Sequence, residues 1–145
     1  ILKPKNIEYR FVEKEEIYQK SDIISLHLPL TPKTRNLITE KELKLFRKDS
    51  FLINTARGEL VNEDNLYYAL KNFIISGAAI DVFANEPYKG RLIELENILL
   101  TEHMGSCSFD CRLAMESGAA RDLIHFFKNE PLENEVPEEE YLYQE

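Results

Sequence analysis

Apolar residues in this chain come in short runs, separated by segments where they recur at helical spacing. Ile7 to Phe11 reads as a short strand, and Glu13 to Lys20 as a short helix with polar residues around Ile17 and Tyr18. Ile23-Ile24-Ser25-Leu26 is a compact strand. Pro29 and Pro32 then force an extended loop, because proline lacks an amide hydrogen and restricts its predecessor. Thr39 with Glu42 three residues on forms a capping-box pattern for a helix through Phe46. Phe51 to Asn54 is the next strand, and Asn62 or Asn65 opens a helix carrying Leu66, Ala69 and Leu70. Ile74 to Val82 is the most apolar segment, as suits a strand covered on both faces. Ile98 to Leu100 follows as the last strand. From Cys107 onward Leu113, Ala114, Gly118, Arg121, Leu123, Ile124 and Phe127 trace a long amphipathic helix ending near Asn129-Glu130-Pro131.

Strands alternating with helices predict an α/β fold built on a parallel sheet with right-handed crossovers. A Gly-x-Gly-x-x-Gly turn, which a dinucleotide fold places between its first strand and helix, is absent from the sequence. No repeat or linker interrupts the alternation before the acidic carboxyl terminus.

Composition narrows the class. The 145 residues fit one domain, and 43% hydrophobic content argues for a folded globule. A net charge of −8 disfavours non-specific nucleic-acid binding. Much of the acid lies in Glu130 to Glu135 and Glu138 to Glu140, which read as a solvated tail. No apolar run approaches the roughly 18 residues that span a bilayer, and the first residues lack a secretory-signal pattern. Cys107 and Cys111, four apart on a predicted helix, are too few for structural zinc and make a poor disulfide framework. Two free thiols in a reducing cytoplasm is the expectation.

Three polar residues follow closely behind predicted strands: Arg57 after Phe51 to Asn54, Glu86 after Ile74 to Val82, and His103 after Ile98 to Leu100. In an open parallel sheet, ligands bind beyond the carboxyl ends of the strands. A guanidinium there can grip a carboxylate bidentately. Gly58 is expected to let the chain turn sharply beside it. Histidine is suited to proton exchange near neutral pH, and a neighbouring carboxylate favours its imidazolium form. Asp81 closes a very apolar strand and therefore needs hydrogen bonds or a solvated crevice. Gly105-Ser106 is expected to start the last helix, with Ser106 as N-cap. His27 is read as a loop-shaping residue and His125 as structural.

These segments together resemble the D-isomer-specific 2-hydroxyacid dehydrogenases, the family of D-3-phosphoglycerate dehydrogenase. The matching text is Ser21 to Thr31, Leu52-Ile53-Asn54-Thr55-Ala56-Arg57-Gly58, Gly77 to Phe83 with Glu86-Pro87, and Asn97 to Thr101 with His103-Met104-Gly105-Ser106. The resemblance implies a partial Rossmann-type parallel sheet that lacks its first βαβ unit and is followed by a long carboxyl-terminal helix. Residues 1–105 would be the carboxyl-terminal part of the dinucleotide-binding domain, 106–129 the helix returning to a substrate domain, and 130–145 the acidic tail.

The resemblance further implies that Arg57 binds the substrate carboxylate, that His103 is the acid/base and that Glu86 supports it. NAD would be the cofactor, with Asp81 on the nicotinamide carboxamide. Backbone around Leu28-Pro29, Thr55-Ala56 and Gly105-Ser106 would contact NAD, beside Arg57 and His103. The expected reaction is hydride transfer between NAD and a D-2-hydroxy or 2-oxo acid, in a cytoplasmic homodimer. A chain of this extent is expected to be inactive alone. A catalytically silent interaction protein on the same fold is the competing expectation. One departure from the family stands out: Glu102 occupies the place of a proline before the histidine.

Overall fold

The computed structural model describes residues 8–138. Four short strands, β1 (Ile23–Leu26), β2 (Phe51–Asn54), β3 (Gly77–Ile80) and β4 (Ile98–Leu100), form one sheet in the order β1-β2-β3-β4. All three pairings are parallel, with Ile24 opposite Leu52, Leu52 opposite Ala78 and Ala78 opposite Ile98. Consecutive parallel strands require crossovers. These carry α2 (Glu40–Leu43), α3 (Glu63–Lys71) and single turns of 3-10 helix at Gly58–Leu60 and Arg91–Glu94, with α1 (Lys14–Lys20) ahead of β1.

Side chains alternate across the sheet with period two. Ile24, Leu26, Leu52, Ala78 and Ile80 are buried in one core with Tyr18, Leu43, Phe46, Leu66 and Leu70 from the helices. The opposite face carries Ile23, Phe51 and Leu99, all exposed among the described residues. Among the described residues the core therefore lies on one face of the sheet, whereas the run Ile74 to Val82 suggested a strand covered on both faces. That strand is also shorter than its apolar run, since Ile74 and Ile75 pack before the ladder begins at Gly77.

Local chemistry explains the element ends. Thr39 and Glu42 form a reciprocal capping box at α2, and the chain then tightens into i→i+3 turns that bury Phe46. Of the two candidate asparagines, Asn62 is the cap of α3, accepting from the Asn65 amide, while Asn65 lies within the helix and its side chain accepts from the Glu40 amide. The last helix, α4 (Phe109–Lys128), starts later than expected. Its cap is Ser108, which accepts from the Cys111 amide, and not Ser106. A tight turn closed by the Cys107 amide on the Met104 carbonyl occupies the intervening residues, so Cys107 precedes the helix and Cys111 lies within it. Asn129 stops α4 in the left-handed conformation that asparagine tolerates.

Two further differences concern the ends. The expected strand Ile7 to Phe11 begins outside the described residues, and residues 8–11 form no ladder. Tyr9 and Phe11 instead stack edge to face, and β1 pairs only with β2 among the described residues. The acidic segment after α4 doubles back: the Glu133 and Asn134 nitrogens donate to Asp122, and Arg121 pairs with Glu133.

Candidate active site

Parallel strands bring all their carboxyl ends to one rim, and four loops leave it. The loop after β2 is organised by Asn54, whose side chain is fully buried. Its amide nitrogen donates to the Arg57 carbonyl at 2.9 Å and its oxygen accepts from the Ala56 amide at 3.1 Å. This staple presents Arg57 outward. The exposed guanidinium has one protein acceptor among the described residues, the Ala56 carbonyl at 2.7 Å, which leaves most of its donors for a ligand.

Gly58 follows, and its φ is not positive. The expectation of a glycine-dependent turn is therefore corrected: glycine is required by crowding. A Cβ there would lie 2.0 Å from the Phe83 carbonyl carbon and 2.4 Å from the Ala84 nitrogen. The loop after β2 thus sits directly on the loop after β3.

That second loop holds Glu86. Its carboxylate accepts from the Phe83 amide at 3.0 Å, while the Ala84 amide donates to Glu63 of α3 at 2.8 Å. The same Glu86 carboxylate meets His103 Nδ1 at 2.9 and 3.1 Å. Hydrogen bonds from His103 first, then from the Phe83 amide, hold the Glu86 carboxyl below its ordinary pKa. A carboxylate on Nδ1 orients the ring and fixes Nδ1–H as donor. Nε2 has no protein partner among the described residues and is free to act as acid or base toward a ligand.

His103 itself stands in the left-handed region, with φ of 54°. For a residue with a Cβ this conformation costs about 1–2 kcal/mol, and such sites persist where their surroundings over-determine them. Asp81 does so here. Its carbonyl accepts from the His103 amide at 2.8 Å, and its Oδ1 accepts from the Met104 amide at 2.8 Å and the Thr101 hydroxyl at 2.5 Å. Burial pushes the Asp81 carboxyl up, but the bonds from Thr101, Met104 and Gly105 outweigh it and hold the group below its ordinary value.

Of the three expected catalytic residues, the fold joins Glu86 and His103 directly. Arg57 stands at the same rim one strand over, tethered through Gly58 to Phe83, but its guanidinium forms no ion pair with either. Leu28, Pro29, Thr55 and Gly105 are exposed at this rim, while Ala56 and Ser106 are half-buried. The Pro29 carbonyl accepts from Thr34, and His27 bonds Ser25 of β1. His125 takes no part in the rim and bonds the Pro131 carbonyl instead. A hollow of about 610 Å³ is lined by Phe83, Glu86, Tyr88, Leu100 and Glu102 and adjoins the His103–Glu86 pair through Glu86.

Three organising residues escaped the sequence reading: Asn54, Thr101 and Glu63. Asn54 carried a signal, being a polar residue that ends a buried apolar strand. Thr101 and Glu63 carried none, because their partners lie 20 and 21 residues away.

A nicotinamide cofactor fits this rim in part. Asp81 keeps Oδ2 toward the Gly105 turn, the Thr55 and Leu28 segments are open, and the carboxyl edges of β1, β2 and β4 surround them. A phosphate-binding glycine turn is not among the residues present.

Comparison with known proteins identifies the family and the fold. Residues 2–105 match the family model of the D-isomer specific 2-hydroxyacid dehydrogenase, NAD binding domain. A glyoxylate reductase from Thermococcus litoralis is 45% identical over 121 residues, covering 83% of this chain and 37% of that protein. Among solved structures, the TT0316 protein from Thermus thermophilus superposes with a TM-score of 0.85 at 35% identity, covering 93% of this chain and 44% of the other. The NAD-complexed D-isomer specific 2-hydroxyacid dehydrogenase from Lactobacillus delbrueckii ssp. bulgaricus superposes with a TM-score of 0.78 at 30% identity, covering 87% and 43%. The chain spans well under half the length of the relatives it matches. With a family model over residues 2–105 and the parallel sheet that family uses, this chain belongs to the D-isomer-specific 2-hydroxyacid dehydrogenases, through their NAD-binding domain.

Proposed function

We propose that this chain is the carboxyl-terminal part of an NAD-dependent oxidoreductase that reduces a small 2-oxo acid of the glyoxylate type, or oxidises the corresponding D-2-hydroxy acid. The observation that carries this is the His103–Glu86 contact at 2.9 Å on a rim that also bears an exposed Arg57. Resemblance alone pointed toward phosphoglycerate dehydrogenase; the relatives reported above include a glyoxylate reductase, which favours the smaller substrate.

The cofactor supplies the hydride, which is chemistry no side chain here can perform. Arg57 binds the substrate carboxylate through its guanidinium fork and fixes the carbon to be reduced at the rim. His103 Nε2 donates a proton to the carbonyl oxygen as the alcohol forms, and accepts it in the reverse direction. Glu86 stabilises the imidazolium. Asp81 and the backbone around Leu28-Pro29, Thr55-Ala56 and Gly105-Ser106 would hold NAD. The working form is a cytoplasmic homodimer.

The test follows NADH absorbance with a panel of 2-oxo acids, first for the 145-residue chain and then for a longer polypeptide supplying a Gly-x-Gly-x-x-Gly βαβ unit. The chain alone should be silent and the longer form active, most strongly with glyoxylate. A longer form that binds NADH yet reduces none of the panel would favour a silent interaction protein and end this reading.

A further inference from the structure

We propose that Thr101 is a positioning residue that acts through Asp81 on His103; this rests on the reading of His103 as the acid/base. The left-handed backbone at His103 is held by two amides, its own and that of Met104, both donating to Asp81. The first bond uses the Asp81 carbonyl, which the sheet fixes. The second uses carboxylate Oδ1, which stays in place only if the Asp81 side chain does not rotate. Thr101 prevents that rotation: its hydroxyl donates to the same Oδ1 at 2.5 Å. Thr101 is itself pinned, since its amide donates to the Ile80 carbonyl at 3.0 Å and so extends the β3–β4 ladder by one residue.

The relay therefore runs from the sheet to the hydroxyl, to Oδ1, to the Met104 amide and to the His103 backbone. The direction of the His103 ring, and with it the Nδ1 bond to Glu86, follows from that backbone. Oδ2 is left on the Gly105 side, so one hydroxyl orders the imidazole and the second carboxylate oxygen together.

Thr101→Val keeps the shape and deletes the donor, and Thr101→Ser restores it. The chain has three histidines, so imidazole ¹⁵N spectra can be assigned singly. In the valine variant, Met104 amide exchange should accelerate by about tenfold or more, the scale of one hydrogen bond to a charged group. The His103 nitrogens should lose the signature of a single Nδ1–H tautomer, while Ile53 and Ala79 amides in the sheet stay protected. Serine should return both signals. Unchanged Met104 protection and an unchanged His103 tautomer in a folded valine variant would overturn the proposal. Should valine prevent folding, the wild-type chain gives the answer on acidification: Met104 and Thr101 resonances should move with the Asp81 carboxyl, and independent movement would refute the relay. None of these readouts needs turnover, so failure of the relay is distinguishable from failure of His103 as acid/base.

Discussion

Replacing Gly58 by alanine separates two reasons for having glycine there, because they predict opposite signs. Gly58 does not use a positive φ, so on conformational grounds alone alanine should stabilise the chain by about 0.4–1 kcal/mol through the unfolded state. Crowding predicts the reverse. The new Cβ would stand 2.0 Å from the Phe83 carbonyl carbon and 2.4 Å from both the Phe83 oxygen and the Ala84 nitrogen. Comfortable carbon contacts are about 3.5–4.0 Å, so the loops must separate by roughly 1.5 Å. All three obstructing atoms are backbone, and no rotamer change relieves them. Overpacking of this kind costs about 1–3 kcal/mol, and the immovable neighbours argue for the upper half of that range. A loss of about 2 kcal/mol lowers the folding constant roughly 30-fold. Phe83 and Ala84 are bonded to Glu86 and Glu63, so the shift also travels toward His103. Urea unfolding followed by circular dichroism measures the first effect, and amide shifts over Phe83 to Glu86 measure the second. A variant as stable as the wild type, with those shifts unmoved, would refute the crowding account.

Other substitutions probe the rim separately. Asn54→Ala should destabilise the chain by about 1–3 kcal/mol, since it strands the Ala56 amide and Arg57 carbonyl without partners; denaturant midpoints decide it. Asp81 has a folded pKa below its unfolded value, so its contribution to stability is complete above the ordinary carboxylate pKa and is lost as pH falls through the lower folded value. Asp81→Asn should therefore flatten the acid limb of stability against pH, and an unaltered limb would contradict the assignment. Arg57→Ala in an active polypeptide should raise KM for the 2-oxo acid while leaving NADH affinity, read by fluorescence titration, within about twofold; a collapse of NADH affinity would contradict its role as the carboxylate clamp.

Much of the sheet was legible in the sequence because its signals are local. β1, β2 and β4 coincide with Ile23 to Leu26, Phe51 to Asn54 and Ile98 to Leu100, each a compact apolar run between turn-forming residues. The capping box at Thr39 was equally plain, being a three-residue pattern. What failed depends on partners elsewhere in the chain. Residues 8–11 have strand-like composition but form no ladder on the outer edge of β1, which stays unpaired among the described residues. Ser106 is as good a cap as Ser108 by residue type, but it falls inside the turn closed by the Cys107 amide on the Met104 carbonyl. Placement of Glu86 and His103 behind two strands was readable, but their 2.9 Å contact required the register of β3 on β4.

Single-turnover oxidation of NADH by glyoxylate, in the longer polypeptide and in its His103→Gln variant, addresses the chemistry at this rim without interference from product release. Loss of the proton donor should slow the hydride step by about 10² or more and leave NADH binding unchanged, the scale of general acid–base catalysis. A glutamine variant that oxidises NADH at the wild-type rate would show that the imidazole held by Glu86 and Asp81 takes no part in the reaction.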